Sequence, residues 1–151
     1  NIEINYFSQE GDRVFHNAEM GPATKPNDNE SQLNILTVSR GECILHCNKY
    51  LRLKVPEVTG LIIDSSIERM DTFGKIGNPK NKEDVINMLG DTTRGREHQV
   101  FRDRAGEEEF LKTICVGIFD IKEKTWTLYK DNPKTNEPLA ILPLVLKKSK
   151  I

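Results

Sequence analysis

Two segments near the end of the chain, T-I-C-V-G-I-F-D-I (113–121) and L-A-I-L-P-L-V-L (139–146), are apolar on both of the faces an extended strand presents. Successive side chains of a strand point to opposite sides, so strands of this kind need cover above and below. A sheet with water on one side does not satisfy them. A second sheet on one face and helices on the other would, which predicts layers in the order helix, sheet, sheet, helix. Pro143 has no N–H to donate to a ladder and places the last strand at an edge or a bulge.

The rest of the chain supplies partners for these strands. Ile2, Ile4 and Tyr6 alternate with Glu3, Asn5 and Phe7; S-Q-E-G-D then makes a turn and residues 13–19 resume with Val14 and Phe15, as in a β-hairpin. Residues 21–31 have no apolar period and read as an exposed loop. A second hairpin is expected from N-I-L-T-V-S (34–39) and C-I-L-H-C-N (43–48), with Gly41 in the turn free to take a positive φ. T-W-T-L-Y-K (125–130) pairs back on 113–121 through K-E-K.

Helices are expected between these strands. Asp64-Ser65-Ser66 predicts a helix start, with Ile67, Met70 and Phe73 or Gly74 on one face. Asn81 with Asp84 three residues on predicts a second helix, ended by Gly90. Residues 92–109 carry too many charges to bury and read as a solvated loop with a short strand near His98–Phe101. The order of elements defines an α+β class with mostly antiparallel sheets, and residues 1–151 read as a single domain or part of one.

Charge and composition remove several functions. Lys and Arg total 22 against 23 Asp and Glu, so no basic field draws a nucleic acid or an anionic membrane. No apolar run approaches the roughly 20 residues of a membrane helix, and the start lacks the basic and apolar regions of a signal peptide. The chain is expected to be soluble. Cys43, Cys47 and Cys115 are an odd set without metal-like spacing, which fits free thiols in a reducing compartment; no metal and no resident cofactor are expected. Asn1 stands already in strand-like sequence with no methionine, as expected of a processed product or a piece of a longer polypeptide.

The segment I-L-H-C-N-K-Y-L (44–51) carries the most chemistry. In an extended strand His46 and Asn48 share one side and Cys47 takes the other. The Asn48 carboxamide can donate a hydrogen bond to an oxyanion forming on a substrate carbonyl; it can equally be a turn asparagine beside a core histidine. Cys47 and Cys115 are flanked by apolar residues and read as core fillers. D-S-S-I-E-R-M places Asp64 and Arg69 near the front of one helix, where Arg69 can fork onto a carboxylate or a carbonyl, or take an i, i+4 partner on the helix surface. H-N-A-E-M (16–20) offers His16 and Glu19 as candidates, which a strand's polar exit explains equally well. Arg94, Arg96, His98, Arg102 and Arg104, interleaved with acids, read as a solvated loop rather than a contact for phosphate or coenzyme A.

Taken in order, N-A-E-M-G-P, L-H-C-N-K-Y-L, D-S-S-I-E-R-M, L-G-D and K-T-I-C-V-G-I-F-D-I-K-E-K-T-W-T-L-Y-K-D-N-P resemble the carboxy-terminal part of the acyl-coenzyme A:isopenicillin N acyltransferases and their animal amidohydrolase relatives. The resemblance implies the C-terminal portion of a four-layer αββα N-terminal-nucleophile fold, acting on an amide or thioester acyl group. In such enzymes the nucleophile is an amino-terminal cysteine freed by self-cleavage, whose own α-amino group is the base. None of the three cysteines here takes that place. The resemblance therefore implies a companion segment or chain that carries the cysteine, and a small acyl compound as substrate.

By the same resemblance Asn48 matches the oxyanion-hole asparagine, with Arg69 and His46 at the substrate. Glu109 and Phe110 stand where the family has serine and arginine, and Lys49 where it has histidine, which implies a substrate other than a penicillin. S-K-I (149–151) is similar to a peroxisomal address and would make a coenzyme A thioester an acyl donor; a chance lysine-rich tail reads the same. The competing reading is a non-catalytic binding or structural protein that keeps the fold without the nucleophile.

Overall fold

Alternation at residues 2–7 and 15–21 gives two strands, and a third joins them. In the computed structural model β1 (Ile2–Phe7), β2 (Phe15–Gly21) and β3 (Gln32–Val38) form an antiparallel sheet in that order, β2 at its centre. The structure describes all residues except 1, 8–14, 26–28, 58–60, 105–110 and 146–151. Asn1, the turn expected at 8–12, Glu109, Phe110 and the S-K-I tail thus lie outside the described residues. Contacts divide the chain into two units, Asn1–Asn78 and Pro79–Ile151.

In the first unit the turn expected after β3 forms. The Glu42 N–H donates to Ser39 O at 3.1 Å, the Ser39 N–H donates to the Glu42 carboxylate at 2.8 Å, and Gly41 takes φ +89°. The hairpin beyond it does not form. β3 pairs with β2, with Glu19 opposite Asn34 and Phe15 opposite Val38, and residues 43–48 run without a strand partner. The donors that follow, at residues 50–53, meet side-chain carboxylates rather than a neighbouring strand.

Helix α1 spans Leu61–Ile76 and begins ahead of the expected Asp64 start, so that Asp64 sits in the first turn where the helix dipole favours an acid. Its inward face also differs from expectation. Ser65, Ser66, Thr72 and Phe73 are buried while Ile67 and Gly74 are exposed. The helix is turned by about one residue, or roughly 100°, from the face that apolar spacing predicts.

The second unit opens with α2 (Lys82–Leu89), whose ends were legible in sequence. The Asn81 side chain accepts the Asp84 N–H at 2.9 Å, and the Gly90 N–H donates to Ile86 O. Strands β4 (Val116–Asp120), β5 (Thr125–Tyr129) and β6 (Ala140–Pro143) form a second antiparallel sheet with β5 central and β6 an edge, where Pro143 was expected. Phe119 and Trp126, opposite each other in register, stack with ring centroids 5.3 Å apart. The core of this unit includes Met88, Phe101 and Tyr129.

In this sheet Phe119, Ile141 and Leu142 are exposed, while the central strand buries Thr127 and Tyr129. One expectation is corrected here. Residues 92–104 are more than a solvated loop. A short 3-10 helix, Arg96–His98, replaces the expected strand, and Phe101 and Arg102 are buried. The Phe101 N–H donates to Asp91 O, while Arg102 and Thr113 exchange backbone and hydroxyl bonds at 2.9 and 3.0 Å. Arg102 Nη2 is capped by Glu97 O, which makes burial of the guanidinium tolerable. Among the described residues the class is α+β with antiparallel sheets.

Candidate active site

The segment His46–Leu53 has neither helix nor strand, so each of its polar backbone groups needs an individual partner. Cys47, 3% exposed, pins its start. The Lys49 N–H donates to Cys47 O at 2.5 Å, closing a three-residue turn with Asn48 at its apex. His46 Nε2 lies 3.1 Å from Lys49 O; a carbonyl only accepts, so in this bond the ring proton sits on Nε2. His46 and Asn48 are therefore linked through a turn rather than lined up along one strand face. Asn48 is exposed, and among the described residues its carboxamide has no partner.

The next four amides are held by carboxylates. Tyr50 N–H donates to Glu57, and the single carboxylate of Glu19 accepts from Leu51 at 2.6 Å, Arg52 at 2.8 Å and Leu53 at 2.7 Å. Successive N–H groups turned to one side make a concavity for an anion, and here the anion is a side chain of the same chain. Glu19 has no exposed surface. A carboxylate so buried is costly unless it is fully hydrogen-bonded and neutralised.

Arg52 completes the arrangement. Its Nε donates to Asn34 Oδ1 and its Nη2 to Asn17 Oδ1, each at 2.6 Å. Asn17 and Glu19 are buried on one face of β2, and Asn34 is the β3 residue opposite Glu19. Burial pushes the Glu19 acid up, but the three amides and the Arg52 charge outweigh it and leave its pKa below the usual 4.5. Glu19 is ionised at neutral pH. A strand's polar exit does not describe this role of Glu19, and no motif marks Arg52, Asn17 or Asn34. The one local signal is the pair of polar residues at 17 and 19, two apart and so on one strand face.

Helix α1 brings Arg69 to the same unit. Its Nε donates to Ser65 O and its Nη2 to Ser66 Oγ, both at 3.2 Å, so the guanidinium lies back along its own helix. Asp64 is exposed. The Arg69 charge reaches Cys47: burial pushes that thiol up and Arg69 opposes it, with the pKa raised on balance. Cys47 is a protonated core thiol at neutral pH, as its apolar flanks suggested. Through Cys47, Arg69 stands within electrostatic range of the segment that carries His46 and Asn48.

The remaining candidates serve the fold. His16 Nδ1 meets Thr37 Oγ1 at 3.0 Å between paired strands. Arg96 and Arg104 are exposed while Arg102 is buried, so the basic residues of 94–104 do not share one environment. Among the described residues no cluster of three or more His, Cys, Asp or Glu is placed to hold a metal ion. No helix among them is long and apolar enough to cross a membrane.

The described residues thus form an α+β chain of antiparallel sheets with Asn48 at an exposed turn. The family model described as acyl-coenzyme A:6-aminopenicillanic acid acyl-transferase matches residues 1–135, and the chain belongs to that family of acyltransferases and amidohydrolases. A beta-alanyl-dopamine/carcinine hydrolase of Drosophila melanogaster is 42% identical over 135 residues, 89% of this chain. The chain spans 34% of that relative's length. No solved structure matches.

Proposed function

We propose that this chain is the C-terminal portion of a cysteine N-terminal-nucleophile enzyme that cleaves or transfers an amide- or thioester-linked acyl group. A companion segment carries the nucleophilic cysteine and completes a four-layer αββα stack. The thiolate attacks the acyl carbonyl, the Asn48 carboxamide donates to the tetrahedral oxyanion, the amine or thiol leaves, and water or an amine takes the acyl group. Arg69 and His46 position the substrate. The observation that carries this reading is the Asn48 carboxamide, held at the apex of a tight turn and unpartnered among the described residues.

The identity to a hydrolase whose name specifies β-alanyl amides supports beta-alanyl-dopamine and carcinine as first substrates to try. The exposed apolar residues Phe119, Ile141 and Leu142 support a missing layer over the second sheet. In the protein assembled with its cysteine-bearing segment, Asn48→Ala should lower kcat for beta-alanyl-dopamine by about two to three orders of magnitude. Turnover equal to that of the parent would remove the role given to Asn48.

A further inference from the structure

The geometry points to Glu19 as a positioning residue that sets the shape of the Asn48 turn from the neighbouring sheet. This inference rests on the reading of Asn48 as the oxyanion donor. Three facts carry it. Glu19 is fully buried on the central strand β2, so its backbone is anchored by the sheet and not by the loop its carboxylate holds. It binds three consecutive amides, Leu51, Arg52 and Leu53, which begin three residues after Asn48. The intervening amides are also satisfied, Lys49 by Cys47 O and Tyr50 by Glu57, which leaves no slack donor between the clamp and the turn.

Oxyanion stabilisation depends on a donor that does not reorganise as charge develops. Asn48 is exposed and supplies little packing of its own, so its position must be imposed through the backbone. On one side Cys47 is held by burial. On the other the chain is held by Glu19, whose own charge is balanced by Arg52 between Asn17 and Asn34. Glu19 itself has no exposed surface for a substrate to touch, so its effect on the reaction passes through Asn48.

Two measurements on the assembled protein test this. Glu19→Gln keeps the size of the side chain and replaces one accepting oxygen with an amide NH2 that donates and cannot accept. Hydrogen exchange should rise about tenfold or more at the amides of Leu51–Leu53 and also at Lys49, which closes the Asn48 turn, while Phe73 in α1 keeps its protection. Faster exchange at 51–53 with Lys49 unchanged would show that the clamp does not reach the turn and would overturn the proposal.

In turnover of beta-alanyl-dopamine, Glu19→Gln should lower kcat by up to about 100-fold, the scale set by small misplacement of a catalytic group, with KM changed less than threefold. The loss should vanish in an Asn48→Ala background, because a group that acts only through Asn48 has nothing left to position. An equal loss in both backgrounds would overturn the proposal. If Asn48→Ala alone is silent while Lys49 exchange still rises in Glu19→Gln, the clamp stands and it is the catalytic reading of Asn48 that fails. Should Glu19→Gln not fold, Asn34→Ala, which removes one acceptor from Arg52, takes its place with the same exchange criterion at Lys49.

Discussion

The carboxylate of Glu19 lies 2.6 Å from the backbone nitrogen of Leu51, a contact that spans 32 residues of sequence. It joins the centre of the first sheet to the segment that presents Asn48. A buried acid is the more expensive way to hold a loop, since its desolvation must be offset by every partner at once. What it gives in return is geometry: one charged group fixes three amides simultaneously.

Acid should weaken this contact. The folded-state pKa of Glu19 is depressed below 4.5, so its contribution to stability is fully present above that unfolded value and is lost as pH falls through the lower folded value. Urea unfolding followed from pH 7 into the acid range should therefore show a steeper loss for the parent than for Glu19→Gln. Parallel pH profiles for the two would contradict the assigned direction.

Cys47 should behave as core and not as nucleophile. It is 3% exposed with a raised pKa, whereas Cys115 is exposed and Cys43 is partly exposed with its Sγ 3.2 Å from Asn78 Oδ1. Mass spectrometry of native protein treated with iodoacetamide at neutral pH should find Cys47 the slowest of the three to be alkylated, its rate rising only when denaturant is added. Rapid native modification of Cys47 would mean that its thiol is activated.

Gly90 should not tolerate a side chain. A Cβ placed there would come within 2.4 Å of Asn132 Oδ1 and 2.7 Å of Lys134 Cβ. Neither neighbour is free to retreat: Asn132 donates to Gly90 O at 3.0 Å and accepts the Lys134 N–H at 2.9 Å. Gly90→Ala is expected to cost about 1–3 kcal/mol through this overpacking. Thermal unfolding measures it, and an unchanged midpoint would show that the turn after β5 yields easily.

What the sequence determined by itself was local. The Asn81 cap and the Gly90 end of α2, the turn at Gly41, the strands of both sheets and the edge position of Pro143 follow from propensities that act over a few residues. The family too was legible, since short motifs in a fixed order are a property of the chain alone. Tertiary structure decided the rest. The amides of residues 50–53 find carboxylates, three of them on Glu19, α1 turns serines inward, and Arg102 is buried. In each case a polar or charged group is withdrawn from water, and whether that is affordable depends on partners far away in sequence. Composition and periodicity cannot report those partners, because they register where apolar residues fall and not which remote acceptor will meet a buried donor.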